Sequence, residues 1–220
     1  MNSALVVFLK APVAGKVKTR LAENIGKEAA LKAYRLVAEH VVDSVRKQGV
    51  REGKQQYDTI LFVDEDEGRN DVIEWLGGEV RVQQGNDLGE RLLNSFKECF
   101  TAYKHVVIIG SDAPFVGPLI DDAFKALKSH SLVIGPAFDG GYYLIGLARS
   151  ASRWREVFAD VAWSKSSVFN DTLENAQEAG IEAHLLSEMH DMDTLSDMRA
   201  IERAYPDEVL TSQLIALRQG

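Results

Sequence analysis

The chain has 220 residues, with 25 Lys and Arg against 33 Asp and Glu, giving a formal charge of −8 and a sequence pI near 5.2. At 45% hydrophobic and 26% charged residues the composition is that of a globular domain and excludes an extended disordered chain. The dispersed acidic excess argues against a general nucleic-acid or membrane-binding surface. One cysteine, Cys99, excludes an intrachain disulfide framework, and no uncharged span reaches the ~20 residues of a membrane helix.

Residues 5–9 form a short apolar run suited to a strand buried on both faces. A loop over 10–25 follows, and then an amphipathic helix over 27–47 with Leu31, Tyr34, Val37, Ala38, Val41, Val42 and Val45 at helical spacing. The polar stretch 48–56 reads as a surface loop. Further strands are predicted at 59–63, 80–82, 105–109, 132–134, 142–145 and 181–185, and helices at 71–76, 88–100, 118–127, 167–179 and 196–204. Such alternation predicts an α/β fold with a mostly parallel sheet and helices on both sides. Only residues 135–141 separate two of the strands, too few for a parallel crossover, so one antiparallel strand is expected. No repeat or linker divides the chain, which predicts a single domain over 1–220.

Several connections carry residues suited to chemistry. Lys10-Ala11-Pro12-Val13-Ala14-Gly15-Lys16-Val17-Lys18-Thr19-Arg20 follows the first strand, where α/β sheets bind ligands. Its glycine exposes backbone N–H groups and its four cations can offset a polyphosphate, with Arg20 able to grip two oxygens. The spacing is not that of a Walker A loop, and a solvated basic loop is the plainer reading. Gly110-Ser111-Asp112-Ala113-Pro114 ends the most apolar strand, so Asp112 can hold a divalent cation or cap the following helix. In His190-Asp191-Met192-Asp193-Thr194-Leu195-Ser196-Asp197, Thr194 and Asp197 fit a capping box, which leaves Asp191 and Asp193 as spare carboxylates.

Gln83-Gln84-Gly85-Asn86-Asp87-Leu88-Gly89-Glu90-Arg91 opens a helix. Its amides suit a base or sugar edge, while Asn86 or Asp87 also suits a cap. The stretch 135–143, with Asp139-Gly140-Gly141, suits either close backbone approach to a ligand or a simple turn between strands. No nucleophile constellation stands out. Cys99 fits a helix core, His190 is the one histidine beside carboxylates, and Trp163-Ser164 lies in a loop that can border a pocket.

Taken in order, the 10–21 segment, Asp87-Leu88-Gly89-Glu90-Arg91, Gly110-Ser111-Asp112-Ala113-Pro114, the 135–147 segment, Trp163-Ser164 and Asp191-Met192-Asp193-Thr194 resemble the DUF2064 family, also called radical-SAM/selenodomain-associated transferase 1. The resemblance spans residue 4 to about 200. It implies the nucleotide-diphospho-sugar transferase superfamily, with a three-layer α/β/α, Rossmann-like GT-A fold and glycosyltransferase activity. The Lys18-Thr19-Arg20-Leu21 element is also similar to that of phospholactate guanylyltransferases, which transfer a nucleotidyl group. By the resemblance, Asp112 is a metal-holding aspartate, Asp191 or Asp193 its partner, and Lys18 and Arg20 the phosphate-binding pair. Leu195 departs from the proline usual in the family.

The expected function is therefore transfer of a sugar from a nucleoside diphosphate-sugar to a small-molecule acceptor, dependent on Mg²⁺ or Mn²⁺. Lys10, Gly15, Lys16, Lys18, Arg20, Asp87, Leu88 and Gly89 would bind the nucleotide, Asp112, Asp191 and Asp193 the metal, and Asp139 would orient the acceptor. Asp112, Lys18, Arg20 and Asp139 form the catalytic set. The metal neutralises the leaving diphosphate. Nucleotidyl transfer from a triphosphate to a phosphorylated small molecule, and nucleotide binding without turnover, are the alternatives. The expected compartment is the cytoplasm, with no nucleic-acid or membrane partner and the oligomeric state left open.

Overall fold

A computed structural model describes residues 2–163 and 165–219, so Ser164 of the Trp163-Ser164 pair lies outside the described residues. The first half runs β1 (Ser3–Leu9), α1 (Thr19–Ile25), α2 (Lys27–Gln48), β2 (Val50–Arg51), β3 (Lys54–Gln55), β4 (Asp58–Val63), α3 (Arg69–Leu76), β5 (Glu79–Val82), α4 (Leu88–Cys99) and β6 (His105–Gly110). There follow α5 (Gly117–Ala126), β7 (Leu132–Pro136), β8 (Tyr142–Ala148), α6 (Val168–Glu178), β9 (Ala183–Leu185), α7 (Leu195–Ala204) and α8 (Val209–Gln219), with a 3-10 helix over Trp154–Phe158.

Among the described residues, seven strands form one sheet in the order β5-β4-β1-β6-β8-β7-β9. Strands β5, β4, β1 and β6 pair in parallel, whereas β8 runs antiparallel to both β6 and β7. This is the mixed α/β sheet expected from the sequence, reversed at the connection judged too short for a crossover. The central strands are buried on both faces. In β1, Leu5, Val7 and Leu9 join a core under α1, α2, α3, α5, α7 and α8, while Ala4 and Val6 join a second core under α4, α6 and the 3-10 helix. Cys99 belongs to that second core, where burial pushes its thiol up to about 12.

Besides 3-10 helices at Asp66–Gly68 and Trp154–Phe158, three features go beyond the expected ones. The predicted 10–25 loop ends in α1, a two-turn helix anchored by buried Leu21. The predicted surface loop at 48–56 contains the β2-β3 hairpin, whose turn residues Glu52 and Gly53 both take positive φ, as the twist of a two-residue hairpin requires. The third is α8, which buries Leu210 and Leu214 in the first core. No described helix is long and apolar enough to cross a membrane.

The chain passes from β1 to β4 and β5 on one side and returns to β6 on the other. The strand order thus reverses between β1 and β6, and the carboxyl ends of these two strands open onto a crevice.

Candidate active site

A cavity of about 940 Å³ occupies that crevice. The loop after β1 contributes Lys10, Lys18 and Arg20, the turn after β6 contributes Ser111 and Asp112, and the segment after β9 contributes Asp191 and Asp193. Asp139 lines another wall, and Gln83, Asn86, Asp87, Leu88 and Arg91 line the end nearest β5.

The centre is a buried ion-pair bridge. Lys18 Nζ lies 3.1 Å from Asp112 Oδ2 and 2.7 Å from Asp193 Oδ1, with the lysine side chain only 7% exposed. Burial alone would depress the ammonium pKa, but the charges of Asp112 and then Asp193 outweigh it and hold the group above its ordinary value. Lys18 also has left-handed backbone (φ 45°, ψ 47°) with no side-chain cap bond at the start of α1. That conformation costs a non-glycine residue about 1 kcal/mol or more, so the paired carboxylates hold a strained residue in place.

Each acid reaches the bridge for a local reason. Asp112 does not cap α5, which starts at Gly117 with no side-chain cap bond. Its carboxylate lies over Gly110 instead, where any Cβ would collide with Oδ1. The Met192 backbone N–H donates to the Asp112 carbonyl at 2.9 Å, clamping the segment after β9 to the turn after β6. At the end of that segment Thr194 and Asp197 form a complete capping box on α7, with Leu195 as the first helical residue. Asp191 and Asp193 are therefore fixed from both sides.

These two aspartates titrate in opposite directions. Burial pushes Asp193 up, but the Lys18 ammonium pulls it down further, so it lies below the usual carboxylate range. Asp191 is pushed up to about 7 by burial and then by the charges of Asp112 and Asp139. Negative charge is thus in local excess. Asp112, Asp191 and Asp193 are hard oxygen donors of the kind Mg²⁺ or Mn²⁺ takes. As they stand, however, no group of three or more His, Cys, Asp or Glu side chains among the described residues is disposed to hold a metal ion. Lys18 lies at the point that Asp112 and Asp193 share. The donor chemistry fits a divalent cation once that ammonium is withdrawn.

The end nearest β5 is built differently. Gln83 is buried, its Nε2 donating to the Phe62 carbonyl at 2.8 Å and the Leu9 carbonyl at 3.4 Å, while its Oε1 accepts from Arg91 at 3.5 Å. Asn86 gives its amide and backbone N–H to Glu90, and Asp87 accepts from the Glu90 N–H as the cap of α4. The capped-turn reading of this segment holds, and its Gln83 amide is committed to strand ends rather than free to read a base.

Of the nucleotide-binding candidates, Lys10, Lys18, Arg20, Asp87 and Leu88 line the cavity, but Gly15, Lys16 and Gly89 do not. Lys16 is exposed, Gly15 packs against the Lys27 stem at positive φ, and Gly89 makes room for the Trp163 indole, which a Cβ there would strike. Asp139 accepts the Gly141 N–H at 2.8 Å, closing its own turn while facing the cavity. His190 stacks on Phe138 at 4.1 Å, and the ring is not among the cavity-lining groups.

The cavity also takes contributors that were not picked out from the sequence, Lys165, Asp64 and Tyr34 among them. Asp64, at the end of β4, accepts the Ala11 N–H at 3.1 Å; an acid directly after an apolar strand was its available signal. Tyr34 of α2 accepts the Lys10 N–H at 2.9 Å and donates to the Lys10 carbonyl at 2.8 Å, fixing the base of the basic loop. Burial pushes its phenol up to about 12, so it remains a donor at neutral pH.

Among known proteins, the DUF2064 family model, described as an uncharacterized protein conserved in bacteria, matches residues 50–165. A crystal structure from Desulfovibrio desulfuricans G20, provisionally named a nucleotide-diphospho-sugar transferase, is similar with a TM-score of 0.89 and 30% identity, covering 100% of this chain and 98% of that one. The fold is shared with a 4-diphosphocytidyl-2C-methyl-D-erythritol synthase from Anaerococcus prevotii DSM 20548 (TM-score 0.58, 12% identity, 94% of this chain and 99% of that one). A manganese complex of Rv0371c from Mycobacterium tuberculosis H37Rv is similar at the same level (TM-score 0.55, 14% identity, 93% and 100%). No curated protein matches.

Proposed function

The chain belongs to the DUF2064 family, and from that premise we propose that it is a divalent-metal-dependent transferase acting on a nucleotide-activated donor, moving a sugar from a nucleoside diphosphate-sugar to a small-molecule acceptor. The observation that carries this reading is the meeting of Lys10, Lys18 and Arg20 with Asp112, Asp191 and Asp193 around one cavity at the sheet's switch point. The cations suit a diphosphate, and the acids suit a hard metal ion.

In this reading Lys10 and Arg20 take the donor phosphates, Arg20 through its two-pronged guanidinium. Asp112 and Asp193, with Asp191, would hold Mg²⁺ or Mn²⁺, which when bound would supply charge neutralisation for the leaving diphosphate. Asp139, which also lines the cavity, orients the acceptor hydroxyl. The single, buried cysteine suits a reducing compartment such as the cytoplasm.

Nucleotidyl transfer is a second reading, favoured by one observation: five cations, Lys10, Lys18, Arg20, Arg91 and Lys165, line the cavity, enough to face a triphosphate. Products separate the two. Incubation with Mn²⁺, a panel of nucleoside triphosphates and diphosphate-sugars, and pooled phosphorylated and hydroxylated acceptors is expected to release a nucleoside diphosphate. Release of pyrophosphate from a triphosphate would move the assignment to nucleotidyl transfer. Binding without any product would reduce the protein to a nucleotide-binding module.

A further inference from the structure

The position of Lys18 suggests more than a phosphate ligand. We propose that Lys18 is an exchangeable internal cation: its ammonium neutralises Asp112 and Asp193 while the cavity is empty and moves to the polyphosphate when donor and metal bind, so that metal and polyphosphate bind with strong positive coupling. The proposal rests on the transferase reading for the kind of anion that draws the lysine away. The bridge itself stands on geometry.

Three observations carry it. First, one Nζ lies within ion-pair distance of carboxylates from two separate loops, at the single point the two acids share. A divalent cation held by both acids would compete for that point. Second, exposure is unequal: the Lys18 side chain is 7% exposed, while Asp112 and Asp193 are 34% and 44% exposed. Both acids remain open to the cavity. Third, among the described residues the ammonium hydrogen-bonds only to these two acids and to no backbone carbonyl, so leaving the bridge strands no main-chain group.

The consequence follows from linkage. Metal alone must displace an ammonium that then has no anion to receive it, which weakens metal binding. A polyphosphate held by Lys10 and Arg20 offers that receiving anion in the same cavity. Each ligand therefore strengthens the other by the same factor.

Calorimetric titration of Mn²⁺ with and without inorganic pyrophosphate, on the native chain and on Lys18→Met, tests this. The native chain is expected to bind Mn²⁺ weakly alone and at least ten-fold more tightly with pyrophosphate. Lys18→Met is expected to bind Mn²⁺ alone at least ten-fold more tightly than the native chain and to lose most of the pyrophosphate coupling. Equal or weaker Mn²⁺ binding by a folded Lys18→Met overturns the exchange. Should that variant fail to fold, reductive methylation of the native chain read by mass spectrometry decides: Lys18 is expected to be protected without additions and labelled several-fold faster at saturating Mn²⁺. Protection that persists with Mn²⁺ bound overturns the proposal. Transfer activity in the native chain with unchanged Mn²⁺ affinity in Lys18→Met removes the exchange and leaves the transferase reading standing. Tighter Mn²⁺ binding by Lys18→Met with no transfer to any acceptor by the native chain does the reverse.

Discussion

Both ends of the cavity carry polar groups and differ in what those groups hold. At the β1-β6 end, Lys18, Asp112 and Asp193 hold one another, and Asp191 is pressed against like charge. At the β5 end, Gln83 holds strand carbonyls, Asp87 caps a helix terminus, and Asn86 is tied to Glu90 on that same helix. Groups paired only with each other can be redirected to a ligand, because every partner can be exchanged. Those paired with the backbone cannot move without leaving buried amides or carbonyls unsatisfied. The first end is therefore read as reactive and the second as framework, and substitutions at the two ends should behave in opposite ways.

The largest effect is expected at Asp112. Asp112→Ala should lower transfer by about 10²-fold or more, the range for loss of a group that positions transition-state charge stabilisation. At the framework end, Gln83→Ala should cost about 1–3 kcal/mol in denaturant unfolding, because the Phe62 and Leu9 carbonyls lose a buried donor. Its effect on Mn²⁺ binding should be small. An activity loss in Gln83→Ala as large as that in Asp112→Ala would break the distinction.

Asp191 sharpens the contrast through pH. Its carboxyl is held up to about 7 in the folded chain, whereas an unfolded aspartate ionises near 3.9. Between these values the folded state holds the extra proton, so this residue makes stability fall as pH rises from about 4 to 7. Asp191→Asn should then stabilise the unliganded protein by roughly 1 kcal/mol at pH 8, a value discounted for partial solvent screening, with the gain vanishing near pH 4. Thermal melts across that range check the sign. Stabilisation by removal of a charge is what a residue kept for a ligand would show. The smallest effect belongs to Asp87→Ala, which should cost about 1 kcal/mol through the lost cap on α4 and leave metal binding unchanged.

Much of the architecture could be read from local pattern. The doubly buried β1, the long α2 and the reversal of β8 each rest on features within a few residues: an apolar run, a 3.6-residue period, a connection too short to cross over. Helix α1 and the β2-β3 hairpin escaped because two turns or two residues per strand are too short to establish a period. Leu210, Leu214 and Leu217 did carry a helical spacing for α8. The site was visible as residue types at strand ends, yet its pairing was not. Lys18 is 94 residues from Asp112 and 175 from Asp193, and nothing local in the chain indicates that the lysine grouped with phosphate ligands sits between the expected metal ligands. Similarly, Asp112 read equally well as cap or ligand until α5 was seen to start at Gly117 without it.

The central claim is that one cavity couples a polyphosphate to a metal through Asp112. Thermal shifts of the native chain and of Asp112→Ala, with nucleoside diphosphates in the presence and absence of Mn²⁺, test it most directly. The account predicts a shift in the native chain that is much larger with Mn²⁺ than without, and loss of that metal-dependent increment in Asp112→Ala. No shift with any nucleotide, or the same metal-dependent increment in both proteins, would contradict it.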